Sequence, residues 1–477
     1  MDDALEATAG AALVAAPCSV EMPAGTGKTH LLAAAAAEAA HQGDRSLILT
    51  HTNAGVDAIR KRLKRFRVPP AMVHVDTITS WAFSLVRAYS RIAGVTVPDA
   101  PDWSSSDAYV QGATLVAGSR AILRVNALSF DYMFVDEYQD CTLDQHDFVL
   151  ALARAVPRTV IFGDRMQAIF GFAGPLADWD THVLPGFPAL AVDHQPHRWL
   201  GHNPALGQWL MDIRPLLVAG QQFDFTAHSV EGLEWVSASP TAVAGVAHGF
   251  RDFDETVVLL DKWPNDVAAH ASRLGGTYSV MEDIQGNFMR RELGGLPKNG
   301  DQALARWLAG FAKQCIVGLA GLDAALLSRL GRNLTVGHLS RAGLEDTLRG
   351  LDDLLANPTY DQLGRTARTI QMTSGLSVYR WEAWKDSLEA IAMTAESGAD
   401  PLDSLAHVRD RLRRRGRASH ARVASRTLLV KGLEYDHVII ADAGRMTDRR
   451  NLYVAFTRAR KSITVIGRSS TITLRDD

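Results

Sequence analysis

The chain has 477 residues, 47% of them hydrophobic and 22% charged, with a formal net charge of −3. That is too long for one ordinary domain, and the balance is that of a soluble globular protein able to bury a large core. The charge does not advertise a nucleic-acid binder, although phosphate contacts need only a local basic groove; Cys18, Cys141 and Cys315 lie far apart, which excludes a CxxC pair and a disulfide framework and suits a reducing cytosol.

Along the chain, residues 9–18 are apolar enough to resemble the core of an export signal. Their start, Met1-Asp2-Asp3, is acidic where such a signal is basic, and the stretch runs into Glu21, so it reads as a buried lead-in to a strand. No other uninterrupted apolar segment is long enough to span a bilayer, and a cytoplasmic protein with no membrane partner is expected. Strand signals at 19–21, 46–49, 132–135 and 159–162 alternate with helical stretches, the clearest at 31–41, a pattern of parallel α/β architecture. From about Tyr278 strand signals thin out, and 303–330, 344–355 and 381–395 carry apolar residues at helical spacing. Strands return at 427–430, 437–441 and 462–466, as when one domain is inserted into another.

Pro23-Ala24-Gly25-Thr26-Gly27-Lys28-Thr29 follows a short strand and opens a helix, the setting of a phosphate-binding loop. Glycines turn backbone N–H groups toward phosphates, and the helix N-terminus adds partial positive charge. Ala24, Gly25, Thr26, Gly27, Lys28 and Thr29 are the candidate ATP ligands. Lys28 would bridge the β- and γ-phosphates, and the Thr29 hydroxyl would hold Mg²⁺. The plainer reading is a glycine-rich turn without a ligand. Met22 stands where the usual pattern begins with Gly or Ala.

The apolar run 130–135 delivers Asp136-Glu137 at its C-terminal end, where open parallel sheets place ligands. One carboxylate, Asp136, would hold the metal while its neighbour Glu137 activates the attacking water. An acidic pair alone is more often a solvated strand end; Asp136-Glu137-Tyr138-Gln139-Asp140 is far more specific.

That pentapeptide resembles the second motif of the UvrD/Rep family of superfamily 1 DNA helicases. Further likenesses follow in chain order. Leu49-Thr50-His51-Thr52-Asn53-Ala54 is similar to motif Ia and Asp76-Thr77-Ile78-Thr79 to motif Ib. Residues 162–172 resemble motif III, and Pro196-His197-Arg198 matches motif IV at its arginine. Residues 430–435 are similar to motif V, and 452–460 to motif VI. The resemblance covers both ends of the chain. It implies an α/β fold of two RecA-like P-loop NTPase lobes on parallel sheets, with ATP and Mg²⁺ in the cleft between them. The expected division is 1–88 and 129–190 for the first lobe, with a small insertion at 89–128. The second lobe would be 191–279 and 418–477, with a helical insertion at 280–417.

Carried over position by position, Gln167 would sense the γ-phosphate and Glu434 touch the ribose. Arg198 and Arg458 would reach across from the second lobe as arginine fingers. His51, Thr52, Asn53, Thr77 and Phe172 would line a single-strand DNA track, Phe172 in the place of the family's stacking tryptophan. Phe170 reads rather as core. His51 replaces the family's phenylalanine, and Ala173 an arginine that follows the stacking aromatic, so DNA affinity is expected to be modest. The run 409–417, with six arginines, fits two readings equally: a clamp on duplex DNA, or cations closing a helix. The family also places an adenine-reading glutamine upstream of the loop, and none occurs between Met1 and Lys28, so loose discrimination between ATP and GTP is expected.

The reading that follows is an ATP-dependent helicase or translocase moving 3′ to 5′ on single-stranded DNA or at single-strand/duplex junctions. The alternative is a DNA-stimulated ATPase that serves a partner nuclease as regulator or sensor. The chain's size resembles that of small stand-alone UvrD-like proteins, including the helicase partner of Gabija-type anti-phage systems.

Overall fold

The structure is a computed structural model that describes residues 3–97, 105–171, 174–220, 222–251, 254–283, 285–415 and 420–476, the side chains of 412–415 excepted. The chain divides into two compact units. The first comprises Met1–Gln221, Asp448–Thr457 and Leu474–Asp477, and the second Gln222–Thr447 and Arg458–Thr473.

The first unit is built on a parallel sheet of β1 (Cys18–Glu21), β2 (Ser46–Thr50), β3 (Val73–Thr77), β4 (Tyr132–Val135) and β5 (Arg158–Gly163), in the order β1-β5-β4-β2-β3. Side chains alternate across a strand, so Ile48, Phe134, Val160 and Phe162 pack on one face with the helix Lys28–His41. Leu47, Leu49, Met133, Val135 and Ile161 pack on the other, with helices Ile78–Ala88, Ser106–Gly118 and Leu143–Ala153. Ala33 to Ala37 and Ala39 are wholly buried. Lys28–His41 has the sheet on one side and the helix Asp3–Ala15 on the other, and only small side chains permit both approaches. Residues 9–18 do lead into β1, through the end of that N-terminal helix, and Ala9, Ala12 and Leu13, at helical spacing, are the helix's buried face.

The second unit has a six-stranded sheet, again parallel, in the order Leu233–Ser237, Ala459–Gly467, Tyr435–Ile440, Val257–Leu260, Arg422–Ser425, Ser279–Val280. The strand expected at 427–430 is instead a helical turn, Thr427–Val430, and the strand lies just before it. Four apolar residues alone do not separate the two conformations. Helices from Asn287–Gly294 to Pro401–Arg415 close over a core of their own, where Phe311 stacks between Trp307 and Trp384. The long helix expected at 303–330 is broken. Ala303–Cys315 ends in the strand Ile316–Val317, paired with Ser377–Val378; Gly318 turns at φ 94°, and a helix resumes at Ala324–Leu330.

Three segments expected in the second lobe, 191–221, 448–457 and 474–477, fall in the first unit. Arg198 belongs to the first unit, because its backbone N–H bonds Gly25 O at 3.0 Å and the buried Trp199 packs under that glycine. The helix Arg449–Phe456 also joins the first unit, against the turn Arg165–Gln167 and the helix Pro204–Ala219. The three cysteines are buried and free. Among the described residues no helix is long and apolar enough to cross a membrane.

Candidate nucleotide-binding site and strand edge

Every strand of the first sheet points its C-terminal end to one edge, and the candidate residues follow those ends. β1 leads into the loop 22–27. Gly25 and Gly27 adopt φ of 75° and 95°, left-handed conformations that cost other residues dearly. At Gly25 space is closed as well: a Cβ would lie 2.6 Å from the Trp199 ring. The buried Thr26 caps the turn by donating to Pro23 O at 2.7 Å, and Ala24 is buried beneath it. The helix then starts at Lys28 with no side chain capping it at Gly27, the kind of N-terminus that favours an anion.

β4 ends at Asp136-Glu137. Glu137 takes a left-handed φ of 56°, uncommon for a non-glycine residue, and this turns its carboxylate back toward the loop. Lys28 Nζ lies 3.1 Å from Glu137 Oε2, and the Thr29 hydroxyl donates to Asp136 Oδ2 at 3.0 Å. Burial pushes the Asp136 carboxyl up to about 6, with Glu137 adding to the rise and Lys28 opposing it. Burial alone would lower the Lys28 ammonium; the carboxylates of Glu137, Asp136 and Asp164 outweigh it and hold the group above its ordinary value. A buried carboxylate beside a threonine hydroxyl is a hard oxygen donor pair that fits Mg²⁺.

β5 ends at Gly163-Asp164, and Asp164 is the hub of the site. Its fully buried carboxylate accepts from Met166 N at 3.1 Å, Gln167 Nε2 at 3.2 Å, Arg214 at 2.8 Å and the Tyr453 hydroxyl at 3.0 Å. Gln139 ties this hub to the acidic pair: its Nε2 donates to Glu137 Oε2 and its Oε1 accepts from Asp164 N. The Tyr453 hydroxyl in turn accepts from Ala24 N at 3.0 Å. Asp164, Gln139, Arg214, Tyr453 and Trp199 were not singled out from the sequence. Gln139, Asp164 and Tyr453 sit inside quoted motifs, and burial of a polar group in a motif is the signal that marks them.

The guanidinium of Arg198 donates to Thr457 O. Glu434, exposed, and Arg458, buried, lie in the second unit, where Arg458 donates to Leu433 O at 3.2 Å.

β2 and β3 end in the candidate DNA contacts. Thr52 and Thr77 are each the N-cap of the following helix, accepting from Gly55 N and Ser80 N, both at 3.0 Å. Their hydroxyls are thus occupied locally, as N-caps are. Asn53 is exposed, and His51 Nε2 lies 3.5 Å from Cys141 Sγ, beside the turn that follows the acidic pair. Phe172 lies outside the described residues, and Phe170 is half-buried. In the basic run, Arg409 is buried against Asp386 at 2.8 Å and Glu382 at 3.3 Å, and Arg411 pairs with Glu389 at 2.7 Å.

A family model described as an AAA domain matches residues 5–173, and one described as a UvrD-like helicase C-terminal domain matches 428–466. The two matches, at opposite ends of the chain, support a UvrD-like helicase. This UvrD-like chain is also similar to a probable DNA helicase of Mycoplasma pneumoniae, 33% identical over 73 residues. That stretch spans 15% of this chain and 14% of the relative.

Proposed function

We propose that this UvrD-like chain is an ATP-dependent DNA helicase or translocase, acting on single-stranded DNA or single-strand/duplex junctions and moving 3′ to 5′. The observation that carries the reading is the pairing of Lys28 with Glu137 and of Thr29 with Asp136 on one sheet edge. In this reading the loop N–H groups and Lys28 bind the phosphates of ATP. Thr29 and Asp136 would hold Mg²⁺, which when bound neutralises phosphate charge. Glu137 takes the proton of the attacking water, and Gln167, its amide oriented by Asp164, stands beside the reacting group. Glu434 would contact the ribose and Arg458 the transition-state charge, while Arg198 buttresses the loop through its backbone.

Nucleotide motifs end β1, β4 and β5, and the candidate strand contacts end β2 and β3, so hydrolysis and DNA contact share one edge. The test is ATPase rate with and without single-stranded DNA, followed by displacement of a blocked streptavidin from the 3′ or 5′ end of an oligonucleotide. Stimulation by single strands with displacement at the 5′ end supports the reading. A rate indifferent to DNA overturns it.

A further inference from the structure

The helix Asn53–Arg65 leaves the sheet edge at its N-cap Thr52 and runs back along the flank of the first unit. Val56, Ile59 and Leu63 bury one stripe of it. The other side carries a density of charge found nowhere else among the described residues. Arg60, Lys61, Arg62, Lys64, Arg65 and Arg67 stand in eight successive positions, with Asp57 the single carboxylate between residues 53 and 67. Arg60 donates to Val75 O and Arg62 to Ala58 O, so these two are bound to carbonyls rather than to acids. Lys61, Lys64, Arg65 and Arg67 are exposed and, among the described residues, form no ion pair. In a chain of net charge −3 this is a local excess of cations without acids, unlike Arg158, Arg165 and Arg445, which pair with carboxylates.

A helix dipole accounts for cations in the last turn only, and here the series begins two residues before that turn, at Arg60, and continues past the helix at Arg67. Residues four apart on a helix lie about 5–6 Å from each other, so Arg60–Lys64 and Lys61–Arg65 form a rigid double row. No exposed aromatic ring interrupts it: Phe66 is half-buried, its ring 5.1 Å from that of His30. Surfaces for single strands interleave rings to stack on bases. A surface of cations alone suits a partner whose bases are already stacked inside and which offers only phosphates.

We infer that Lys61, Lys64, Arg65 and Arg67 form a docking surface for the phosphate backbone of duplex DNA, along the flank reached from the strand edge. The inference rests on the DNA-motor reading and adds the duplex arm to it. The helix is about 20 Å long at 1.5 Å per residue, so the row lies well away from Thr52 and is separable from the strand contacts there.

The test is binding to a single-strand/duplex junction and to the same single strand alone, each over a salt series. The variant is Lys61→Gln/Lys64→Gln/Arg65→Gln. Each lost duplex phosphate contact lowers the slope of log affinity against log salt by about 0.9, so the junction slope should fall by roughly 2 to 3. Single-strand binding, DNA-free ATPase and melting temperature should not move. Should the triple variant fold poorly, Lys64→Gln alone should lower the junction slope by about 0.9. An unchanged junction slope, or equal loss on both substrates, overturns the inference while leaving the motor reading in place. Failure of the unaltered protein to bind either DNA overturns both.

Discussion

The phenol of Tyr453 donates to Asp164 Oδ2 at 3.0 Å while accepting from the backbone N–H of Ala24, also at 3.0 Å. One buried hydroxyl therefore joins the phosphate loop, the Gln167 turn and the helix that ends just before Arg458. Burial, with the Asp164 charge adding to it, holds the phenol well above its usual range, so it stays a donor. Tyr453→Phe leaves Ala24 N–H without its partner and Asp164 one donor short. Leaving a buried polar group unsatisfied costs about 1–3 kcal/mol. The expected outcome is a lower denaturation midpoint and a kcat reduced more than KM is raised. A variant that loses stability with kcat intact would make the contact purely structural.

Lys28 and Glu137 face each other, yet their removal should fail differently. Lys28→Ala should abolish nucleotide binding and hydrolysis together, because the loop loses its phosphate cation. Glu137→Gln should keep ATP bound and stall turnover, because only proton acceptance is lost. Fluorescent-nucleotide binding and single-turnover hydrolysis on both variants check this. Normal turnover by Glu137→Gln would remove it from the water-activating role.

Gly25→Ala should be severe for two reasons that act together. The φ of 75° penalises any Cβ, and that Cβ would meet the buried Trp199 ring at 2.6 Å. Nucleotide affinity should drop at least tenfold, with a melting temperature lowered by several degrees for a loss of about 1–3 kcal/mol. Trp199→Leu in the same chain relieves the contact but not the φ, and should recover part of the stability.

His146 couples the acidic turn to pH. Its Nδ1 lies 2.9 Å from the buried Tyr138 hydroxyl, and burial lowers its pKa below 6.5, with His182 adding to the fall and Asp147 opposing it. The unfolded chain therefore binds a proton that the folded chain resists. The contribution to stability is present above pH 6.5 and is lost as pH falls from there through the lowered folded value. Denaturation midpoints between pH 8 and pH 5 should decline, and the decline should be shallower in His146→Gln.

Much of this protein could be read before its structure. The parallel α/β class was legible because strand and helix signals alternate locally, and a strand buried on both faces writes a near-continuous apolar run, as in Tyr132–Val135. The residues of the loop and the acidic pair were legible because each motif is contiguous, and its chemistry needs those residue types at that spacing. Short elements were not. Thr427–Val430 and the apolar residues of Asp3–Ala15 took their conformations from what they pack on, which local pattern does not encode. Nor could the hub be read. Tyr453 lies 289 residues from Asp164 and 429 from Ala24, so only the folded chain decides that one hydroxyl serves both. The same holds for Arg198, whose backbone follows Trp199 under the loop, and for Thr52 and Thr77, whose hydroxyls the helix ends claim. The sequence by itself determined which groups could do chemistry. Tertiary packing decided which of them are held, because the cost of burying a polar group is met only by partners that folding brings from far along the chain.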